Sequence, residues 1–100
     1  MNSIGKIPKP VSFEWDKANS DKNWAKHKVS LKECEQVFFN KPVKLFRDPK
    51  HSQIEERLLA YGITNSKRQL TLVFTIRTNK IRIISARDQS KNERGVYAKK

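Results

Sequence analysis

The residues of this sequence best suited to chemistry are the arginines of its second half. Residues 51–100 hold six of the seven arginines, whereas residues 1–50 hold ten of the fifteen lysines. An arginine side chain presents a planar fork that binds a phosphate through two hydrogen bonds, and a lysine acts as a point charge. We therefore expect specific phosphate contacts in the second half of the chain and general electrostatic attraction in the first.

Three arginines have spacings that could bring them onto neighbouring strands. Arg57 follows two glutamates, and Arg82 and Arg87 stand at the two ends of the segment RIISAR. Because side chains alternate between the faces of a strand, Arg82 and Arg87 should point to opposite faces unless the strand ends or bulges between them. Alternatively, Glu56, Arg57 and Arg82 form cross-strand ion pairs on a solvated face.

The two histidines are candidates for proton transfer, since an unperturbed imidazole has a pKa near neutrality. His27 ends a predicted helix, where it would also interact well with the helix dipole. His51 lies in a polar segment that could equally be an exposed loop. Glu55 or Glu56 could replace a histidine as the base, and the spacing does not choose among these groups.

Cys34, the only cysteine, falls on the inner side of a predicted helix, so we expect a core residue rather than a nucleophile. No spacing of cysteine and histidine resembles a zinc site. No apolar run is long enough to span a membrane, and the first ten residues lack the apolar core of a signal peptide. We therefore predict a cytoplasmic protein without a metal or other cofactor.

The length and composition are those of one globular domain. The 100 residues are 36% hydrophobic and 32% charged, and the formal net charge is +12. So large a positive charge indicates a polyanion or an acidic partner. Residues 1–10, rich in proline, glycine and lysine, are predicted to be a flexible basic lead-in, and residues 11–100 a single domain.

Hydrophobic spacing predicts a strand and two helices first. Apolar and polar residues alternate around Phe13, which is the period of a strand, and Asp16 can cap a helix over residues 17–28. A capping box that begins at Ser30 predicts a second helix, which should end before Asn40.

The second half of the domain has the period of strands. Four are expected, over residues 43–46, 56–63, 70–77 and 81–86. Thr78-Asn79 can form the turn between the last two strands, and a second capping box starts a short final helix near Ser90. The predicted order is β-α-α-β-β-β-β-α, an α+β fold with an antiparallel β-meander.

Several fragments occur together in the order of one known family. They are FEWD at 13–16, Asn23 with Lys26-His27 and Val29, VFF at 37–39, EER at 55–57, RIISAR at 82–87, and Glu93-Arg94 with Tyr97. With this set the sequence resembles the BrnT family from about Phe13 to Tyr97. It departs from the family at Lys28, where glycine is usual and ends a helix more readily, and at Gly95, within a stretch usually rich in charge.

The resemblance implies a fold similar to the RelE-like microbial ribonucleases and an RNA-cleaving activity that slows translation. It also implies neutralisation by a cognate antitoxin with a ribbon-helix-helix DNA-binding part, and hence a hetero-oligomer with that antitoxin. Trp15 and Trp24 are interpreted as core residues, although an exposed ring could stack on a base. Phe38 and Phe39 are interpreted as core residues or as antitoxin contacts.

RNA carries its own nucleophile, the 2′-hydroxyl, so cleavage without a metal needs a base, an acid and cations around the phosphate. The candidate catalytic residues are Arg57, Arg82, Arg87, His27 and Glu56. The candidate RNA-binding residues are Lys26, Arg77, Arg94, Tyr97 and His51. Two rival hypotheses are a module that binds RNA or DNA without cutting it, and an interaction protein whose basic surface holds an acidic partner.

Overall fold

A computed structural model describes residues 3–4, 12–48 and 56–99 of the chain. Its elements, in chain order, are β1 (Ser3–Ile4), β2 (Ser12–Glu14), α1 (Lys17–His27), α2 (Leu31–Phe39), β3 (Lys44–Arg47), β4 (Leu58–Ile63), β5 (Gln69–Arg77), β6 (Lys80–Asp88) and α3 (Lys91–Ala98). From β2 onward this order confirms the predicted α+β arrangement. The pairing of β1 with β3 adds a strand within the predicted lead-in, and the rest of residues 1–10 lies outside the described residues.

The six strands form one sheet in the order β1-β3-β4-β5-β6-β2. Strands β3 to β6 pair antiparallel as the predicted meander, whereas β2 pairs parallel with β6 at the edge. Thr78 and Asn79 both have positive φ, of 50° and 62°, which is the turn geometry that fits the twist of a two-residue hairpin. The predicted turn is therefore confirmed.

The core lies between α1, α2 and one face of the sheet, which we call the helical face. Leu70, Leu72 and Phe74 alternate along β5 and are fully buried there. Cys34 is also buried, as predicted, and α2 approaches β4 so closely that a Cβ atom on Gly62 would lie 2.5 Å from Val37 Cγ1. Within the described part of the chain, no helix is both long and apolar enough to cross a membrane.

A β-bulge interrupts the pairing of β5 with β6. Val73 pairs with Ser85, but its neighbour Phe74 pairs with Ile83. Ile84 is therefore an extra residue in β6. From this point on, the alternation of side chains along β6 is reversed.

The bulge brings two predicted site residues to the same face. Arg82 pairs with Thr75 before the bulge, and Arg87 pairs with Thr71 after it. Thr71 and Thr75 are four residues apart on β5 and so point to the same face. Arg82 and Arg87 therefore share the face opposite α1 and α2, although their spacing in a regular strand would separate them.

Local signals start and end the helices largely as predicted. Asp16 accepts a hydrogen bond from the backbone N–H of Asn19, and capping boxes begin α2 and α3. The end of α1 differs from our expectation, because Lys28 adopts the left-handed conformation, with φ 55°, that we expected of glycine. This conformation costs a non-glycine residue about 1 kcal/mol. Lys28 therefore ends α1 in a strained backbone conformation.

The prediction that Trp24 is a core residue is wrong, since its side chain is 53% exposed. The inward residue of α1 is its neighbour Asn23, which accepts a hydrogen bond from the backbone N–H of Ala86. Trp15 is half-buried and packs against the core, as predicted. Phe38 does the same, whereas Phe39 is 66% exposed.

Candidate functional site

The side of the sheet opposite α1 and α2 carries the predicted arginines, and we call it the arginine face. It bears Thr71 and Thr75 on β5 and Arg82 and Arg87 on β6. Both threonines are buried, so their hydroxyls lie at the base of this face. Helix α3 covers one end of the face through Glu93.

Glu93 joins three elements through one carboxylate. Arg87 donates from Nη1 and Nη2 to the two carboxylate oxygens, at 2.6 and 2.8 Å. Glu93 Oε1 also accepts hydrogen bonds from Thr71 Oγ1 at 3.0 Å and from the backbone N–H of Ser90 at 2.8 Å. The Arg87 guanidinium is thus held in a fixed plane between the sheet and α3.

The electrostatics of this pair keep both groups charged. Burial opposes ionisation of Glu93, but hydrogen bonds from Arg87, Ser90 and Thr71 outweigh it and lower the pKa of Glu93 to about 2. The hydrogen bond to Glu93 raises the pKa of Arg87 in turn. Glu93 is consequently a poor proton acceptor at neutral pH and acts here as a fixed anion.

Arg82 is held by a carboxylate from a different element. Its Nη2 donates to Asp16 Oδ2 at 2.8 Å, and the Arg82 side chain is 24% exposed. The pKa of Asp16 is lowered first by the hydrogen bond from the backbone N–H of Asn19 and then by Arg82. The carboxylate that caps α1 therefore also orients Arg82.

Arg57 directly precedes β4, and its carbonyl accepts a hydrogen bond from the Asp48 N–H at 2.8 Å. Side-chain alternation directs Arg57 away from the helical face, on which the next residue, Leu58, is buried. Since Leu58 pairs with Phe74, Arg57 lies opposite the following residue of β5, Thr75.

Glu56 forms an exposed ion pair with Arg47, between Oε2 and Nε at 3.2 Å. Its backbone carbonyl accepts a hydrogen bond from Thr75 Oγ1 at 3.1 Å. The alternative interpretation, in which Glu56, Arg57 and Arg82 form ion pairs, holds for two of them. Glu56 pairs with Arg47, and Arg82 pairs with Asp16.

The arginine face contains two rows of side chains that cross the strands. One row is Arg57, Thr75 and Arg82, and the other is Tyr61, Thr71 and Arg87. Three neighbouring strands span about 10 Å and four residues of a strand about 13 Å, so the arginines surround a patch of these dimensions. Such a patch can hold the phosphates of a single nucleic acid strand and offset their charge.

His27 and Lys26 lie at the end of α1, on the helical face. Arg68 donates hydrogen bonds to the carbonyls of His27 at 2.9 Å and Lys28 at 2.8 Å. The same guanidinium pairs with Asp88 at 2.7 Å and Glu33 at 3.2 Å. His27 thus borders an ion cluster that ties α1 and α2 to the sheet.

The other predicted RNA-binding residues are dispersed. Arg77 is exposed at the end of β5, and Arg94 donates to the carbonyl of Gln89 at 3.0 Å. Tyr97 is buried, and its hydroxyl donates to the carbonyl of Pro42 at 2.6 Å, which anchors α3; burial raises the pKa of Tyr97. His51 lies outside the described residues.

Sequence reasoning missed Asp16, Arg68 and Glu93 as side chains that position others. Asp16 and Glu93 were recognised as parts of helix starts and of the family's fragments, with no positioning role, and nothing in the spacing singled out Arg68. The capping box at Ser90 placed Glu93 in the first turn of a helix. The pairing of Glu93 with Arg87 depends on how α3 packs on the sheet, which the local sequence does not show.

The described residues do not favour thiol chemistry or metal binding. Burial raises the pKa of Cys34 to about 12, so this thiol is no nucleophile at neutral pH and the prediction of a core residue is confirmed. In the ranges 12–48 and 56–99, no group of three or more histidine, cysteine, aspartate or glutamate residues is placed to hold a metal ion.

Comparisons with known proteins agree with this fold. The family model described as ribonuclease toxin, BrnT, of type II toxin-antitoxin system matches residues 15–93. The crystal structure of the ribonuclease toxin BrnT of Brucella abortus has a similar fold, with a TM-score of 0.56 and 21% sequence identity over 81% of this chain and 97% of that chain. No curated protein sequence matches significantly.

Proposed function

Because this chain belongs to the BrnT family of ribonuclease toxins of type II toxin-antitoxin systems, we propose that it is a metal-independent RNA endonuclease. It slows translation by cutting RNA in the cytoplasm. The observation that carries the proposal is the placement of Arg82 and Arg87 on one face by the bulge at Ile84. Each is oriented by a carboxylate, so the cations are arranged before RNA binds.

The proposed reaction uses the 2′-hydroxyl of RNA as its nucleophile. A base removes the hydroxyl proton, the oxygen attacks the adjacent phosphorus, and the 5′-oxygen leaves with a proton from an acid. The products carry a 2′,3′-cyclic phosphate and a 5′-hydroxyl. The transition state gains negative charge on the phosphate oxygens, and Arg57, Arg82 and Arg87 are proposed to stabilise it.

Glu56 is the proposed proton-transfer group beside the arginine patch. His27 is kept only as a second candidate, since it lies at the end of α1 on the helical face. Arg77, Arg94 and His51 are proposed to hold the flanking RNA. The buried Tyr97 is proposed to act only by anchoring α3, and Lys26, on the helical face, by general electrostatic attraction. Glu93 is not proposed as the base, because a carboxylate with a pKa of about 2 accepts a proton poorly at neutral pH.

We further propose a cognate antitoxin, with a ribbon-helix-helix DNA-binding part, that neutralises the toxin in a hetero-oligomer. The family description supports an antitoxin partner. The net charge of +12 supports a partner that is acidic where it meets this chain.

The test is incubation of the purified protein with a labelled single-stranded RNA in EDTA, followed by analysis of the product ends. The Arg57→Ala and Arg87→Ala variants are run beside the wild type, with folding checked by thermal unfolding. We expect cleavage that survives EDTA, leaves 2′,3′-cyclic or 3′-phosphate ends and falls in both variants.

Two results would contradict the proposal. Binding of RNA without cleavage, on naked RNA and on translating ribosomes alike, would favour the non-catalytic RNA- or DNA-binding module. Cleavage that stops in EDTA and returns with a divalent cation would show that the enzyme needs a metal.

A further inference from the structure

The large apolar side chains exposed by the described residues all lie on α1 and α2. They are Trp24, Leu31 and Phe39, with exposed fractions of 53%, 42% and 66%. Neither helix contains an arginine, and none of these side chains belongs to the arginine face. These helices therefore expose a surface of different chemistry from the proposed RNA site.

Two of these residues form a continuous ridge with β2, which we call the α2 ridge. Leu31, Glu35 and Phe39 are four residues apart and so lie along one side of α2. Trp15 donates from Nε1 to Glu35 Oε2 at 3.1 Å. The Phe13 ring lies 6.1 Å from Phe39 and 6.0 Å from Trp15, so aromatic contacts connect the helix to the edge strand.

The charges around the α2 ridge favour an acidic partner. Lys32 shares a stripe of α2 with Phe39, and Lys41 follows two residues after it; both are exposed and make no ion pair with another described residue. Of the two carboxylates of α2, Glu33 pairs with Arg68, whereas Glu35 accepts a hydrogen bond from the neutral Trp15 indole and keeps its charge. A ligand of this surface thus meets apolar rings with one carboxylate between them and two lysines, Lys32 and Lys41, beside them, so the charge of the ridge is positive on balance.

We propose that the α2 ridge is a docking surface for an amphipathic, acidic segment of the antitoxin; this inference rests on the proposed function. Its apolar side chains cover Leu31 and Phe39, and its carboxylates meet Lys32 and Lys41. Exposed aromatic anchors with a charged rim are the usual features of a binding hot spot. RNA fits this surface less well, because the arginines that hold phosphates lie on the opposite face of the sheet.

The experiment measures the dissociation constant between the purified toxin and the antitoxin encoded beside its gene, using fluorescently labelled antitoxin. The variants are Phe39→Ala, which removes the most exposed ring, and Lys32→Glu, which reverses one flanking charge without touching the core. Lys91→Glu, on α3 at the arginine face, is the matched charge control. RNA binding and cleavage are measured for every variant, and thermal unfolding confirms folding.

We expect Phe39→Ala to weaken antitoxin binding at least about 20-fold, as loss of an aromatic hot spot does. Lys32→Glu should slow association several-fold at low salt, and Lys91→Glu should leave the antitoxin affinity unchanged. RNA cleavage by Phe39→Ala and Lys32→Glu should stay within about twofold of wild type, since neither residue lies on the arginine face.

Unchanged antitoxin affinity in both ridge variants would overturn the inference. So would weaker RNA binding with unchanged antitoxin affinity, which would make the ridge a nucleic acid contact. If the wild type binds antitoxin through the ridge but cuts no RNA, the docking surface stands and the ribonuclease proposal alone fails.

Discussion

The two sides of the sheet carry their positive charge on different side chains. The arginine face has Arg82 and Arg87, each fixed by a carboxylate from another element. The helical side, formed by α1 and α2, exposes lysines with apolar rings between them, and Arg68 on this side is engaged by Asp88 and Glu33. A fixed guanidinium suits the directional binding of a phosphate, whereas mobile lysines around apolar side chains suit a protein partner.

The two sides also differ in how their residues are held. The hydrogen bond between Asp16 and Arg82 joins residues 66 positions apart, so the arginine face exists only after the sheet and helices have assembled. The starts and ends of α1 and α2 depend on neighbours within a few residues, such as Asp16 with Asn19. Substitutions on the two sides should therefore have different consequences for activity and stability.

The largest expected difference between the two sides is in catalysis. Arg82→Ala should lower the rate of RNA cleavage about 100-fold or more, since loss of one preorganised charge costs about 3 kcal/mol of transition-state stabilisation. Lys17→Ala is the control, because Lys17 forms an exposed ion pair with Asp21 on α1, on the other side of the sheet. The cleavage rate is measured in single-turnover experiments. Similar losses of rate in both variants would mean that cleavage depends on the overall positive charge of the protein and not on the arginine patch.

The next effect concerns stability and pH. The lowered pKa of Glu93, about 2 against an ordinary 4.5, stabilises the fold fully above pH 4.5, and this contribution is lost as the pH falls towards 2. Glu93→Gln should therefore lower the free energy of unfolding at pH 7 by on the order of 2 kcal/mol. The difference from wild type should shrink between pH 4.5 and 2, as measured by urea unfolding.

The control for Glu93→Gln is Asp21→Asn on the helical side. Asp21 forms an ion pair with Lys17 in which both side chains are mostly exposed. Its loss should change the free energy of unfolding by no more than about 0.5 kcal/mol. If Glu93→Gln is as stable as Asp21→Asn at pH 7, the Glu93 carboxylate does not stabilise the arginine face.

The smallest effect should be a gain of stability on the helical side. Lys28→Gly removes the strain of a left-handed lysine and should raise the free energy of unfolding by about 0.5 kcal/mol, after the greater entropy of unfolded glycine is subtracted. Lys22→Gly, in the middle of α1, should instead lower it by about 1 kcal/mol. Thermal unfolding distinguishes the two signs, and a loss of stability in both variants would contradict the assigned strain.

Much of the fold could be predicted because its signals are local. The alternation along β5, the capping boxes at Ser30 and Ser90 and the turn at Thr78-Asn79 each depend on a few neighbouring residues. Trp24 was misassigned because α1 has no apolar stripe to fix its inward side, and a polar residue, Asn23, is buried in its place.

The candidate site could be predicted only in part. The residue types of Arg57, Arg82 and Arg87 indicated phosphate chemistry, but their shared face depends on the bulge at Ile84. A bulge depends on the register between two paired strands. This register cannot be predicted from the sequence of β6 alone. The carboxylate that fixes Arg87 is Glu93 of α3, and their contact likewise depends on tertiary packing.

The most direct test of a shared phosphate site is a double-mutant cycle on RNA cleavage with Arg82→Ala, Arg87→Ala and the double variant, at a temperature where all are folded. If both arginines stabilise the same transition state, each single variant should lose most of the activity and the double variant should lose much less than the product of the two losses. Losses that multiply independently, or a single variant with full activity, would contradict joint action of the two arginines on one phosphate.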